Sequence, residues 1–328
     1  MITCAIVGAT GLVGSTFLKV LEEKNLPIDE YYLFASKNSA GKKVTFMEND
    51  YVVEELTHDI PKRGFTYALF SAGGSISKEY AKEFVFYGTT VIDNSSAFRM
   101  DKDVPLIVPE VNFDAIGDSK LIANPNCSTI QAMLPLYVLN KKYGLKRIIY
   151  STYQAVSGAG KKGIDDLINT SYGFKENKFP HKIYNNCLPH IDVFEENGYT
   201  KEEMKMVNET RKILDLPELK VTATCVRVPV MNSHCESINV ELSSPFDIQE
   251  LKQELGRFNG IVVLDEPKYN IYPLNTFADG KDEVFIGRIR RDYTIESGLN
   301  MWVVADNIRK GAASNAVQIL EKLINNKS

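Results

Sequence analysis

The chain lacks several features that mark whole classes of protein. It has no apolar run near the roughly 20 residues that a transmembrane helix needs, and its N-terminus lacks the basic segment and cleavage site of a signal peptide. Its five cysteines are odd in number and show no CxxC spacing, which argues against a disulfide framework or a zinc site. Basic residues do not outnumber acidic ones, at 38 against 42, so neither nucleic acid nor an anionic membrane is an expected partner. We therefore expect a cytoplasmic protein that holds no metal.

What is present is the composition of an ordinary globular protein, with 44% hydrophobic and 24% charged residues. In the first part of the chain, short β-prone runs alternate with helical segments, which predicts an α/β domain with a parallel, doubly wound sheet. Later, several strands follow one another with few helices, which predicts an α+β domain with a mixed, largely antiparallel sheet. Residues 164–200 are rich in Asn, Tyr, Phe and Pro, and we interpret them as an irregular excursion or interface element.

A glycine-rich turn follows the first predicted strand, Ile2 to Val7. It is a GxxGxxG variant of the dinucleotide-binding fingerprint. Gly8 permits the tight turn, Gly11 lets the backbone approach a pyrophosphate, and Gly14 lets the next helix pack close to the strand. The pattern predicts a dinucleotide site formed by Gly8, Thr10, Gly11, Leu12 and Val13.

The loop after the second predicted strand, Tyr31 to Ala35, bears on the choice of cofactor. NAD-binding folds usually place an acid there to bind the ribose 2′-hydroxyl, but this loop has no acid and three lysines. Ser36, Lys37 and Ser39 suit a 2′-phosphate, which favours NADP. The alternative is a solvated basic loop.

Two later turns follow predicted strands of the same sheet, at the edge where such folds bind ligands. Strand Tyr67 to Ser71 leads into a glycine pair, and we assign Ser71 to the cofactor site. Strand Val91 to Asp93 leads to Arg99, a candidate phosphate clamp because guanidinium matches oxyanions bidentately. A surface arginine with a structural partner is the alternative.

The segment Asn124-Pro-Asn-Cys-Ser-Thr129 places Cys127 at the start of a predicted helix. Asn124 or Asn126 can cap that helix, and Pro125 suits its entry. A helix start carries unpaired N–H groups and a partial positive charge, which favour the thiolate and can hold an oxyanion formed when sulfur attacks a carbonyl. Cys127 is therefore a candidate nucleophile, with a small residue at a helix cap as the alternative.

Candidate partners of this cysteine follow. Small residues after a predicted strand, including Ser157 and Gly158, allow close approach of a cofactor or substrate. Glu202 and Lys205 form an i,i+3 pair on a helix with a Thr200/Glu203 capping box, and by default such a pair is a surface feature. Of the four histidines, His234 lies beside the strand that carries Arg227 and is a candidate base. A last helix is predicted from Asn307 to Ile324.

Together these motifs resemble the aspartate-semialdehyde dehydrogenase family over nearly the whole chain. The glycine turn is similar to its cofactor loop, and the segment around Cys127 to its nucleophile box. The resemblance implies that Gln154 positions substrate and nucleophile, that Arg227 binds the substrate carboxylate, and that His234 is the acid/base. It further implies that Glu202 and Lys205 meet the substrate amine and phosphate. Other positions that match are the phosphate-site residues Arg99 and Asn126 and the nicotinamide-side residue Asn307.

The resemblance implies an NADPH-dependent oxidoreductase that converts L-aspartyl-4-phosphate to L-aspartate 4-semialdehyde through a Cys127 thioester. The product would serve lysine (diaminopimelate), threonine, methionine and isoleucine biosynthesis. We expect a dinucleotide-binding domain at 1–126 with 307–328, and a catalytic and dimerisation domain at 127–306. A homodimer is expected, with a tetramer as the alternative.

One departure and two rival interpretations accompany this resemblance. Relatives often carry an arginine before the Ser-Ala-Gly-Lys segment, where this chain has Asn38, so Lys37 or the lysines at 42 and 43 would replace it and mixed NAD/NADP use is an alternative. An N-acetylglutamyl-phosphate reductase-like dehydrogenase is the nearest rival, but Glu202 would face no cation on an acylated amine. A non-catalytic dinucleotide-binding sensor predicts a missing nucleophile or base, whereas Cys127, Gln154 and His234 are all present.

Overall fold

A computed structural model describes residues 1–326, and the chain divides into two compact units. The first unit is Met1–Pro125 with the segment that begins at Ala312, and the second is Asn126–Gly311. Residues 327 and 328, the end of the predicted segment 307–328, lie outside the described residues. None of the helices in the described range is long and apolar enough to cross a membrane.

The first unit is built around a parallel sheet with the predicted alternation of strands and helices. Up to residue 125 its elements are β1 (Thr3–Val7), α1 (Leu12–Lys24), β2 (Glu30–Ala35), β3 (Lys43–Phe46), β4 (Asn49–Val52), β5 (Glu54–Glu55), β6 (Tyr67–Phe70), α2 (Gly74–Phe86), β7 (Thr90–Asp93), α3 (Pro109–Asn112) and β8 (Leu121–Ala123). Six strands form the sheet in the order β5-β2-β1-β6-β7-β8, while β3 and β4 form a separate antiparallel hairpin. Because β2 and β6 flank β1, the strand order reverses beside the turn after β1, which is where open α/β sheets bind ligands.

The second unit contains a six-stranded mixed sheet with helices packed on it. Its elements are α4 (Cys127–Tyr143), β9 (Leu145–Gln154), α5 (Lys161–Ser171), α6 (Lys201–Leu214), β10 (Lys220–Arg227), β11 (His234–Leu242), α7 (Ile248–Arg257), β12 (Ile261–Val263), α8 (Asn275–Ala278), β13 (Val284–Asp292) and β14 (Gly298–Ala305). The strand order is β10-β9-β11-β14-β13-β12. The two outer pairs are parallel and the inner pairs antiparallel, so the predicted fold class is confirmed.

Two predictions about local structure were wrong. The excursion 164–200 is not irregular throughout, because its first residues continue α5 as far as Ser171. The helix predicted from Asn307 begins later: residues Arg309–Ala313 form a π-helical turn, and the α-helix α9 is Ser314–Asn325. The Thr200/Glu203 capping box is confirmed, with both reciprocal hydrogen bonds present at the start of α6.

Helix α9 belongs to the first unit although it follows the second in the sequence. Its apolar side chains, such as Val317 and Leu320, are buried in the same core as Phe17 and Leu21 of α1. Asn315 is also buried, and its amide donates to the carbonyl of Ile107 at 3.0 Å. The chain therefore returns to complete the core of its first unit after building the second.

Candidate active site

Cys127 is the first residue of α4, and Asn126 is the residue that caps this helix. The Asn126 side-chain oxygen accepts hydrogen bonds from the N–H groups of Ser128 at 3.0 Å and Thr129 at 3.4 Å. Of the two caps that the sequence allows, the structure uses Asn126, while the N–H of Asn124 donates to Asp93 within the first unit. The cap holds the cysteine at the positive end of a 17-residue helix, where a thiolate is favoured.

His234, the first residue of β11, faces this cysteine. Its Nε2 lies 3.3 Å from the Cys127 Sγ, and its Nδ1 accepts a hydrogen bond from the Ala155 N–H at 3.0 Å. Burial, and then the neighbouring Arg227 charge, lower the pKa of His234 to about 3, so its ring is neutral near pH 7. A neutral imidazole that accepts at Nδ1 carries its proton on Nε2. The ring therefore presents an N–H donor to the sulfur.

Arg227 ends strand β10 and is 5% exposed. Its Nη1 donates to the Ala155 carbonyl at 2.6 Å, whereas its buried Nε has no hydrogen-bond partner among the described residues. Burial lowers the pKa of the guanidinium, and the Glu202 carboxylate opposes that effect. No ion pair joins Arg227 to a carboxylate in the part of the chain that the structure describes. A buried guanidinium without an ion-pair partner is suited to bind an anionic group of a ligand.

Ala155 contributes to the site through its backbone groups, and Gly158 through its lack of a side chain. The N–H of Ala155 fixes the His234 ring and its carbonyl fixes the Arg227 guanidinium. A Cβ on Gly158 would lie 2.8 Å from Arg227 Nη1 and 3.2 Å from the His234 ring. The sequence explained Gly158 by the approach of a ligand, but these contacts show that the protein's own side chains also need the space.

Glu202 is the centre of a buried polar network rather than part of a surface pair, so that default interpretation was wrong. The side chain is 4% exposed in the folded unit. Its Oε1 accepts from the amides of Asn126 and Gln154, each at 3.0 Å, and its Oε2 pairs with Lys205 at 3.0 Å. Burial alone would raise the pKa of Glu202, but the Lys205 charge and these hydrogen bonds lower it to about 2. The carboxylate is therefore charged at neutral pH.

Further residues that the sequence did not single out support this network. Asp192 pairs with Lys205 at 2.9 Å, and Glu209 accepts the Asn126 N–H at 2.7 Å. Thr152 donates to the Gln154 side-chain oxygen at 3.0 Å, which orients the amide nitrogen of Gln154 toward Glu202. The two acids Asp192 and Glu209 lie at different sequence distances from their partners, so no regular spacing in the sequence identifies them. The burial of Glu209 on α6 is seen only in the structure.

Two predicted cofactor residues of the second unit lie together. Ser157 Oγ and the Asn307 side chain are in hydrogen-bond contact at 3.1 and 3.2 Å, and the Ser233 N–H donates to Asn307 at 2.9 Å. In the π-helical turn that follows, a Cβ on Gly311 would lie 3.0 Å from the Cβ of Cys127. Glycine at that position lets this segment pack directly against the nucleophile.

The glycine turn of the first unit has the form of a phosphate cradle. Gly8 has φ of +89°, and a Cβ there would lie 2.5 Å from the Ser71 carbonyl oxygen. A Cβ on Gly14 would lie 2.0 Å from the Gly8 oxygen, so close packing requires glycine. The cap residue of α1 is Gly11, which has no side chain to occupy the helix start, and the N–H groups of Leu12 and Val13 begin that helix. This arrangement fits a dinucleotide pyrophosphate.

The residues expected to meet a 2′-phosphate form a loose polar group in the same unit. Thr10 Oγ1 donates to Ser39 Oγ at 3.2 Å, and Lys42 Nζ reaches the same oxygen at 3.5 Å. Ser36 and Lys37 are exposed beside them in sequence. The cluster of Ser39 with Lys42 is compatible with a phosphate, and the structure gives Lys42 a place there that the sequence offered only as an alternative to Lys37.

Arg99 is buried in the first unit and is not a surface arginine. Its Nε donates to the Asn124 carbonyl at 2.9 Å and its Nη2 to the Asn94 carbonyl at 3.0 Å. These bonds fix the guanidinium just beyond β7 and β8. Its role at a phosphate stays a prediction.

Comparison with known proteins agrees with this geometry. Residues 3–119 match the family described as semialdehyde dehydrogenase, NAD binding domain, and residues 136–310 match semialdehyde dehydrogenase, dimerisation domain. The chain is 56% identical to the aspartate-semialdehyde dehydrogenase of Aquifex aeolicus, over 98% of this chain and 97% of that one.

Solved structures give the same result. A crystal structure of aspartate semialdehyde dehydrogenase II complexed with ASA from Vibrio cholerae is 45% identical, covers 99% of this chain and 98% of its own, and superposes with a TM-score of 0.95. A structure of aspartate semialdehyde dehydrogenase with NADP from Candida albicans is 27% identical, covers 98% of each chain, and has a TM-score of 0.77. The chain belongs to the aspartate-semialdehyde dehydrogenase family of oxidoreductases.

Proposed function

We propose that this protein reduces L-aspartyl-4-phosphate to L-aspartate 4-semialdehyde with release of phosphate, using NADPH, and that it also runs the reverse reaction. The observation that carries the proposal is the cysteine at the start of α4, 3.3 Å from an imidazole N–H and beside the buried Arg227. In this role the enzyme supplies the semialdehyde for lysine (diaminopimelate), threonine, methionine and isoleucine biosynthesis.

Substrate binding follows from the charges of the site. The unpaired Arg227 takes the α-carboxylate, and the charged Glu202 takes the amine, since an amine bears the cation that this carboxylate can pair with. Lys205, Arg99 and Asn126 are assigned to the phosphate. Contacts at three places orient the acyl carbon toward Cys127 and replace a random encounter with a directed attack. An acylated amine offers Glu202 no cation, which disfavours the N-acetylglutamyl-phosphate analogue.

The reaction begins at the Cys127 sulfur, which accepts a hydrogen bond from the Nε2–H of His234. The thiolate attacks the acyl carbon, N–H groups at the start of α4 stabilise the oxyanion, and phosphate departs to leave a thioester. The hydride that reduces the acyl carbon comes from NADPH, which is the chemistry the cofactor supplies when bound. The resulting tetrahedral species then breaks its carbon–sulfur bond. This releases the aldehyde, and the Cys127 thiolate again accepts the hydrogen bond from the His234 N–H. Gln154, held by Thr152 and Glu202, orients the reacting acyl group.

The cofactor assignment rests on the cradle of the first unit, formed by Gly8, Gly11, Gly14 and the start of α1. Ser39 with Lys42, and the exposed Lys37, are assigned to the 2′-phosphate. Ser157 and Gly158 in the second unit, with Asn307, are assigned to the nicotinamide side. The proposed cofactor domain, residues 1–126 with 307–328, and the proposed catalytic domain, residues 127–306, differ from the two compact units only in the placement of Asn126 and of residues 307–311.

We further propose a cytoplasmic homodimer. No disulfide joins any two cysteines of the described residues, as a reducing compartment favours. Several large apolar side chains between α5 and α6 are exposed, namely Tyr172, Phe174, Val193 and Phe194. A second copy would cover such a surface. Light scattering of the purified protein separates a dimer from a tetramer or a monomer.

The test of the activity is NADPH formation by the purified protein from L-aspartate semialdehyde, phosphate and NADP. A phosphate-free reaction is the control. Phosphate-dependent NADPH formation is expected. Failure to turn over, by folded protein that still binds NADP, would refute the substrate, and the acylated glutamyl semialdehyde would then be the next compound to assay.

A further inference from the structure

Asp166 is a buried carboxylate to which the proposed function gives no role. It lies on α5, is 1% exposed, and accepts three backbone hydrogen bonds from one loop. The N–H groups of Asn177, Lys178 and Phe179 donate to it at 2.9, 2.7 and 2.9 Å. Burial would raise the pKa of Asp166, but these three donors bring it below its ordinary value, so the group stays charged. One carboxylate thus fixes the path of three consecutive residues.

The loop that Asp166 fixes carries an aromatic ring to the Arg227 guanidinium. The centre of the Phe179 ring is 5.9 Å from the Arg227 Cζ, within the range of a cation–π contact. The ring also packs against α5, where a Cβ on Gly163 would lie 3.3 Å from its Cζ. Phe179 therefore lies between the helix that bears Asp166 and the arginine.

The same excursion holds the backbone of Arg227. The Arg227 N–H donates to the Leu188 carbonyl at 2.8 Å, and the Leu188 N–H donates back at 2.9 Å. Further along, Asp192 pairs with Lys205. The segment between α5 and α6 thus contacts two of the three cations that the proposed function assigns to the substrate, Arg227 and Lys205. Its contacts with Arg227 are to the backbone through Leu188 and to the guanidinium through Phe179.

We propose that Asp166 is a positioning residue that sets the affinity for the substrate carboxylate, acting through Phe179 on Arg227. The inference rests on the proposed role of Arg227. An arginine side chain has several rotatable bonds, and holding its fork in one orientation before binding removes part of the entropy cost of ordering it. The ring also excludes water from one face of the guanidinium, which strengthens its attraction for a carboxylate.

The experiment compares Asp166→Ala and Phe179→Leu with Asp165→Ala as the matched control. Asp165 is the neighbour of Asp166 on α5, but it is only partly buried and pairs with Lys161. For the first two variants, the KM for aspartate semialdehyde should rise roughly 3- to 30-fold, the range that cation–π contacts span between exposed and desolvated sites. The kcat and the KM for NADP should stay within about twofold of wild type. The control should leave all three constants unchanged.

A double variant tests whether the effect passes through the arginine. If it does, adding Asp166→Ala to Arg227→Lys should raise the KM much less than it does in the wild-type background. Full additivity, an unchanged KM in Asp166→Ala and Phe179→Leu, or a matching loss of NADP affinity would each overturn the proposal. Thermal unfolding checks each variant, and if Asp166→Ala does not fold, Phe179→Leu carries the test. Wild-type protein that does not turn over aspartate semialdehyde would instead refute the proposed function.

Discussion

The buried His234 makes a prediction about stability that does not depend on activity. The folded pKa of this histidine is about 3, against 6.5 in a model compound, because burial and the Arg227 charge disfavour the protonated ring. Below pH 6.5 the unfolded chain binds a proton that the folded chain does not, so this site lowers stability as pH falls toward the folded pKa. At pH 5 the linkage relation gives a loss of about 2 kcal/mol from this one group.

The perturbation is His234→Gln, which removes the titrating ring. Urea unfolding, followed by the fluorescence of the single tryptophan, Trp302 in β14, reports on the second unit. Between about pH 7 and pH 5, wild type should lose about 2 kcal/mol more of its unfolding free energy than the variant. The control is His58→Gln. His58 is an exposed histidine of the first unit, and its hydrogen bond to Glu83 raises its pKa. Protonation of His58 therefore stabilises the folded state as pH falls, so its removal cannot reduce the loss of unfolding free energy as His234→Gln does. Equal losses in wild type and His234→Gln would refute the neutral, buried imidazole.

Three substitutions test other parts of the site. Arg227→Lys should raise the KM for aspartate semialdehyde about tenfold or more, because a fork becomes a point charge; steady-state kinetics with an unchanged KM would refute its role. Lys37→Ala should lower the preference for NADP over NAD by roughly two- to fivefold, as for an exposed charge pair; an unchanged ratio of kcat/KM values would shift the 2′-phosphate contact to Lys42. Gly311→Ala should reduce kcat roughly 10- to 100-fold by displacing Cys127. Steady-state kinetics and the alkylation rate of Cys127 measure this effect, and wild-type values of both would contradict the close packing.

The parts of the fold that follow from local patterns could be predicted from the sequence. The glycine turn, the strand and helix alternation of the first unit, and the Thr200 capping box each depend on residues that are neighbours along the chain. Helix α5 was not predicted because Lys161–Ser171 has only three large apolar side chains, follows a glycine-rich turn and lies beside an Asn- and Tyr-rich segment. The π-helical turn at Arg309–Ala313 was not predicted, and its close approach to Cys127 at Gly311 joins residues far apart in sequence.

The candidate site shows the same division. Cys127 and its cap could be predicted because the cysteine and Asn126 are adjacent. Ala155 could not, since it acts through its backbone on two side chains that the sheet brings to it from β10 and β11. The direction of the His234 ring, donor toward sulfur, also needed the Ala155 contact. Spacing along a chain does not report which nitrogen of an imidazole carries the proton.

The measurement that tests the central claim most directly is mass spectrometry of the enzyme after acid quenching. Freshly prepared aspartyl phosphate is added without any nicotinamide cofactor, so that acyl transfer to sulfur can occur but reduction cannot. We predict an aspartyl adduct on the peptide that contains Cys127, and none in a folded Cys127→Ala variant that still binds NADP. Active wild-type enzyme that carries no adduct, or carries it on another residue, would contradict the thioester at Cys127.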